Sequence, residues 1–235
     1  MRKIFIVVFV LAVSLSLIAC GAPAAEVEEV AKATEAPTEA PTEEPTEAPT
    51  EAPALSPLDA VTEGEAYTND YFGLTLNVPA GYVWYTDEEL AATFGIDATA
   101  IDVSDLSSVT LLPLGMCYDP AGTADQMANM NFSFSNSPTP QNDDEALAAL
   151  ETTAALVDSM LGTQTIYADP TPANYGGHIA YIFDTESYLE DELMMYQAMV
   201  LIEVEEGTLT FTYTYHSPDQ IGLLVDSVDS ITFSK

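Results

Sequence analysis

"VLIEVEEGTLTFTYTY", residues 200–215, carries two alternating runs around one acidic-glycine step. Val200, Ile202 and Val204 alternate with polar or non-aligned neighbours before it. Leu209, Phe211 and Tyr213 alternate with Thr208, Thr210, Thr212 and Thr214 after it. A period of two marks half-buried strands, and β-branched and aromatic residues suit a pleated surface. Glu206-Gly207 between the runs predicts a two-residue hairpin turn. That turn sets Val204 opposite Leu209, Ile202 opposite Phe211 and Val200 opposite Tyr213 on one face, with the threonines on the other.

Working outward, residues 193–205, 178–188 and 164–169 predict three further strands upstream of the hairpin. Asn142 to Gly162 reads as a helix: Asn142 caps it and Asp143, Asp144 and Glu145 fill its first turn. Leu147, Leu150, Ala154, Val157 and Leu161 recur at helical spacing, and Gly162 stops it. Residues 108–118 and 127–136 predict two more strands. "YFGLTLNVP", residues 71–79, predicts another, through Phe72, Leu74, Leu76 and Val78. Thr86-Asp87-Glu88-Glu89 is a capping box ahead of a short helix with Leu90 and Phe94, ended by Gly95. Ser217-Pro218-Asp219-Gln220 starts a last helix whose apolar stripe is Ile221, Leu224, Val225 and Val228.

The N-terminus has a different composition. Arg2 and Lys3 precede an apolar run, Ile4 to Ile18, interrupted only by Ser14 and Ser16. At about 15 residues the run is short of the ~20 that span a bilayer as a helix, and it has the layout of a secretory signal. Leu17-Ile18-Ala19-Cys20 matches the bacterial lipobox and resembles lipoprotein precursors. The resemblance implies cleavage before Cys20 and lipidation of Cys20, and several acyl chains on one residue suffice for stable anchoring. Residues 34–53 then read TEAP TEAP TEEP TEAP TEAP. Proline at every fourth position and no large apolar residue exclude a packed core. The repeat predicts a polyproline-rich spacer that reaches on the order of 60 Å. The expected organisation is a signal peptide over residues 1–19, a lipidated cysteine and disordered linker over 20–63, and one folded domain over 64–235.

Charge narrows the function. The chain has a formal net charge of −34 and four basic residues. Arg2 and Lys3 lie in the signal, Lys32 in the linker, and Lys235 is the last residue. Asp59 to Ser234 contains 29 Asp and Glu and no Lys or Arg. Such a domain lacks the phosphate contacts that supply nucleic-acid affinity, which excludes nucleic acid as a partner class. It favours a basic protein or divalent cations, and the anionic membrane surface repels it.

"YTNDYFGLTLNVP", residues 67–79, with Tyr67, Asn69, Phe72, Gly73, Leu74, Leu76 and Pro79, is followed by a helix, antiparallel strands and the "SPDQI" helix start at 217–221. This combination resembles the Mog1/PsbP/DcrB-like superfamily over residues 65–235. Tryptophan commonly follows the first proline closely in that group; here the place reads Gly81-Tyr82-Val83-Trp84. The resemblance implies an α+β fold: an antiparallel β-sheet flanked by helices, in an α/β/α sandwich. Functions in the superfamily range from a photosystem accessory protein to a nuclear-transport binder, so the fold leaves activity open.

Catalytic chemistry has few residues to draw on. Cys117 with His178 or His216 is one thiol–imidazole pairing, but Cys117 lies in the apolar run "LLPLGMCY", where a cysteine acts as a small hydrophobe. No nucleophile elbow, glycine-rich phosphate loop or His/Cys metal spacing occurs. Carboxylates are the alternative: Glu186, Glu190, Asp191 and Glu192 around a strand–strand turn, and Glu203 and Glu205 on the solvent face of the next strand. They are the candidate cation-binding residues, without the spacing of a calcium loop. The sequence therefore predicts a non-enzymatic interaction or binding domain, lipid-anchored to the cell membrane on its extracytoplasmic face, with no cofactor. A cell-envelope hydrolase or an accessory cation-binding protein is the alternative.

Overall fold

A computed structural model describes residues 55–123 and 127–234. Cys20, the lipobox and the TEAP repeats lie outside the described residues, as does the side chain of Leu224. In chain order the elements are β1 (Val61–Glu63), β2 (Ala66–Asn69), β3 (Leu74–Asn77), β4 (Val83–Trp84), α1 (Asp87–Phe94), β5 (Leu112–Tyr118), β6 (Asn129–Ser135) and α2 (Asp143–Leu161). They continue with β7 (Gln164–Tyr167), β8 (Thr171–Tyr175), β9 (His178–Leu189), β10 (Glu192–Val204), β11 (Gly207–Tyr215), α3 (Ile221–Asp229) and β12 (Thr232–Phe233).

The strands form two antiparallel sheets. The larger runs β4-β5-β6-β11-β10-β9-β7, with β8 also paired to β9; the smaller runs β1-β2-β3-β12. The hairpin β10–β11 is the middle of the large sheet. Its turn is Glu205-Glu206, one residue upstream of the expected Glu206-Gly207, so Ile202 pairs with Leu209 and Val200 with Phe211. Gly207 is needed inside the strand instead. A Cβ there would run into the Ser135 carbonyl oxygen of β6 and lie 2.9 Å from Asn136 Cα. The pairing moves by two residues, an even shift, so every side chain keeps its expected face.

One face of the large sheet carries Val200, Ile202, Phe132, Phe134, Phe211 and Tyr213, packed against Tyr67, Phe72, Leu74 and Leu76 of the small sheet and its turn. Tyr67, Trp84 and Phe132 gather in this core, with ring centroids 5.1–5.8 Å apart. Gly115 leaves the room: a Cβ there would meet Phe132, Trp84 and Tyr67 at 3.2, 3.5 and 3.6 Å. The opposite face takes the helices. Ala146 and Leu150 of α2 cover Tyr181, Phe183, Met199 and Leu201, while Val157 meets Met195. Leu90 and Phe94 of α1 cover Leu111 and Met116.

The fold is therefore mostly antiparallel sheet with a few helices. A second sheet takes the place of one helical layer of the expected α/β/α sandwich. Packing also begins upstream of residue 64: Pro57 accepts a hydrogen bond from Asn69 at 2.8 Å, and Leu58 and Ala60 pack on the main core. Both expected caps form. Thr86 and Glu89 exchange capping-box bonds, and Asn142 accepts from the Glu145 amide at 3.0 Å. On α3 the expected stripe holds in part: Val228 packs on the main core as expected, with Ser227 also buried, whereas Ile221 and Val225 are exposed.

Candidate binding cleft

The threonine face of β11 has an unexpected environment. Thr208, Thr210, Thr212 and Thr214 are all buried. Across the pairing with β6 they oppose Ser135, Ser133, Asn131 and Asn129, also buried. This polar strip lies between the footprints of α1 and α2 on the helix-bearing face, and it opens at its Ser135–Thr208 end into a cleft of about 750 Å³, within the range of small-ligand sites. Ser135, Thr208 and Thr210 form its floor. Ala148, Ala149 and Thr152 of α2 form one wall, the segment Ser137–Gln141 another, and Glu145, Glu203, Glu205 and Glu206 contribute acid.

Hydrogen bonds hold the second wall. Thr208 donates to the Ser137 carbonyl at 2.7 Å. That uses its one proton, so Thr139 is the donor in the 2.6 Å contact between the Thr139 and Thr208 hydroxyls. Gln141 donates from Nε2 to Thr139 O and to Glu203 Oε1, at 2.9 and 3.1 Å, and from its backbone to Glu145 Oε2 at 2.9 Å. Ser135 and Thr210, 4% and 1% exposed, have no hydrogen-bond partner among the described residues. The Ser137 hydroxyl is likewise buried and without one. The Ser137 hydroxyl is shut off from water, whereas the hydroxyls of Ser135 and Thr210 open on the cleft, where water or a ligand can meet them.

The expected carboxylates separate into two groups. Glu190 and Asp191 form the β9–β10 turn, both with positive φ, 52° and 67°. Glu192 starts β10, and Glu186 on β9 accepts from Tyr188 OH at 2.5 Å. Glu203 and Glu205 lie at the other end of β10; by strand rise Glu203 is about 36 Å from Glu192 and about 23 Å from Tyr196, the partner of Glu186. Glu205 is in the turn. Glu203 pairs with Thr208 and takes the helix-bearing face, where it lines the cleft; it is not on a solvent face as expected. Among the described residues no three His, Cys, Asp or Glu side chains gather as a metal site.

The thiol–imidazole pairing does not assemble. Cys117 is fully buried in the inter-sheet core, and burial pushes its thiol up to about 12. His178 Nδ1 lies 2.8 Å from the Glu203 carbonyl, and its ring packs 4.2 Å from that of Phe233. His216 Nδ1 lies 2.9 Å from the Met194 carbonyl, at the opposite end of β10. Both rings are oriented by backbone oxygens rather than by a nucleophile. Ser135, Thr139 and Thr210 were not anticipated as site residues. Their signal was the unbroken threonine alternation, which says a face is polar without saying that helices close over it.

No family model matches the chain. No curated protein matches it either. Among solved structures it is similar to the cyanobacterial PsbP protein CyanoP of Synechocystis sp. PCC 6803. The TM-score is 0.49 and the identity 11%, over 74% of this chain and 95% of that one. It is also similar to PA94, a protein of unknown function from Pseudomonas aeruginosa, with a TM-score of 0.35 and 15% identity, over 61% of this chain and 88% of that one.

Proposed function

We propose that this chain is a lipoprotein held through Cys20 on the extracytoplasmic face of the cell membrane, and that its domain is a non-enzymatic binding module whose site is the cleft between α2 and the β10–β11 hairpin. The observation that carries the binding reading is that cleft of about 750 Å³, with the hydroxyls of Ser135 and Thr210 on its floor unpartnered by any described residue. The resemblance of residues 67–79 to PsbP-like domains is in keeping with an accessory role. The lipobox and the TEAP spacer support the anchoring half, and the acidic body accords with a domain held off an anionic surface.

Each half has its own test. Metabolic labelling with a fatty-acid analogue marks the wild type and not Cys20→Ala; equal labelling of both overturns the anchor. Hydrogen exchange of the full chain slows at Ser135–Gln141 and Glu203–Thr210 when a small-molecule extract of the producing cells is added. Unchanged exchange in those two segments overturns the binding reading.

A further inference from the structure

Resting on the binding reading of the cleft, we infer that its ligand presents a primary ammonium group on an alkyl stem. Four carboxylates line the cleft, Glu145, Glu203, Glu205 and Glu206, and the domain has no Lys or Arg from Asp59 to Ser234 to neutralise them. An anion is repelled there and a cation attracted. The protein's own donors leave capacity over. Glu145 is occupied at both oxygens, by Asn142 Nδ2 at 2.8 Å and the Gln141 amide at 2.9 Å. Glu203 and Glu206 each accept at Oε1 only, from Gln141 Nε2 at 3.1 Å and Tyr71 OH at 3.2 Å.

The floor supplies the second and independent observation. Glu203, Thr208 and Ser135 are successive partners across β10, β11 and β6, so all three take one face of the sheet. Thr210 lies two residues along β11 on that same face. With strands about 4.8 Å apart, Ser135 lies about 10 Å from Glu203 with Thr208 between them, while Thr210 is the diagonal neighbour of Glu203 on the adjacent strand. An ammonium carries three donors and no acceptor; the Glu203 carboxylate and the Thr210 hydroxyl oxygen supply two acceptors and leave the third donor to water. Ala148, Ala149 and Leu201 offer apolar surface to the methylenes behind it.

Other cations fit less well. Among the described residues no aromatic side chain lines the cleft, so it lacks the ring faces that hold a quaternary ammonium. A calcium ion needs six to eight oxygens in a closed shell, and no such gathering of carboxylates is present among the described residues.

The test is calorimetric titration of the full lipidated chain in detergent, at constant ionic strength, with four probes: 1,5-diaminopentane, an N-acetyl-lysine amide peptide, tetramethylammonium and sorbitol. The diamine or the lysine peptide binds saturably with a stoichiometry of one, and tetramethylammonium does not. Tighter binding of the diamine identifies a free amine as the source of the group; tighter binding of the peptide identifies a lysine side chain of a protein. Glu203→Gln weakens that binding at least tenfold, and Thr210→Val weakens it several-fold, with both variants melting cooperatively near the wild type. Equal binding of tetramethylammonium, or an affinity indifferent to Glu203→Gln, overturns the inference. Saturable sorbitol binding lost in Thr210→Val, without amine binding, overturns the ligand class while the binding module stands. Absence of amine binding alongside protection by cell extract has the same meaning.

Discussion

The side-chain oxygens of Thr139 and Thr208 lie 2.6 Å apart across 69 residues of sequence, and Thr208 passes its own proton to the Ser137 carbonyl at 2.7 Å. This relay ties the segment after β6 to the β11 strand and shapes one wall of the cleft. Thr208→Val keeps the shape and removes both bonds. The expected loss is about 1–3 kcal/mol, the cost of stranding buried polar groups. Thr139→Val added to it costs much less than alone, because the two share one network. Urea denaturation of the two single variants and the double variant measures the coupling; additive losses contradict the relay.

Two glycines respond oppositely to alanine. Gly207→Ala drives a Cβ into the backbone at Ser135 and Asn136 and is expected to cost about 1–3 kcal/mol or more. Gly222, in α3, has nothing within 4 Å of its Cβ position. Alanine there is expected to stabilise by about 0.5–1 kcal/mol, since it restricts the unfolded chain and favours helix. Melting curves of the two variants decide the sign of each.

The Glu89 carboxyl is held below its usual range, first by the Thr86 backbone N–H and then by the Thr86 hydroxyl. A depressed folded value means the contribution is present above the unfolded value and lost as pH falls through the folded one. Glu89→Gln therefore lowers the melting temperature at neutral pH, and its difference from wild type disappears in acid. A difference that persists at the lowest pH contradicts the assignment.

Cys117 is buried in the inter-sheet core, and a thiol pushed up to about 12 holds almost no thiolate at pH 8. In a Cys20→Ser background, Ellman's reagent is expected to leave the native domain unmodified and to label one thiol in guanidinium. Rapid native labelling would place the thiol at the surface.

Trypsin has no cleavage site between Asp59 and Ser234. Heat-softened domain is expected to resist trypsin while a protease of broad specificity fragments it, because opened chain is the usual substrate of proteolysis. Internal tryptic fragments contradict this, and equal resistance to both enzymes assigns the protection to rigidity.

Local rules carried most element identities. The helices capped by Thr86 and Asn142, and the alternation of β9, β10 and β11, are written in neighbouring residues, since caps act within one turn and pleats repeat every two residues. The short strands β1, β2, β4, β8 and β12 were not legible. At two to five residues they carry too little periodicity and exist because a partner strand is waiting.

The sequence by itself determined the polar identity of the β11 threonine face, the absence of basic charge across the domain, and which side each strand residue takes, because these follow from composition and from a period of two. Tertiary structure alone decided the hairpin register, through the Ser135 carbonyl pressed against Gly207. It also decided that a small sheet covers one face of the large sheet, that Glu203 parts from Glu190 and Asp191, and that α2 closes over the threonines to make a cleft. Each of these depends on groups far apart in sequence meeting in space, and no local pattern records such a meeting.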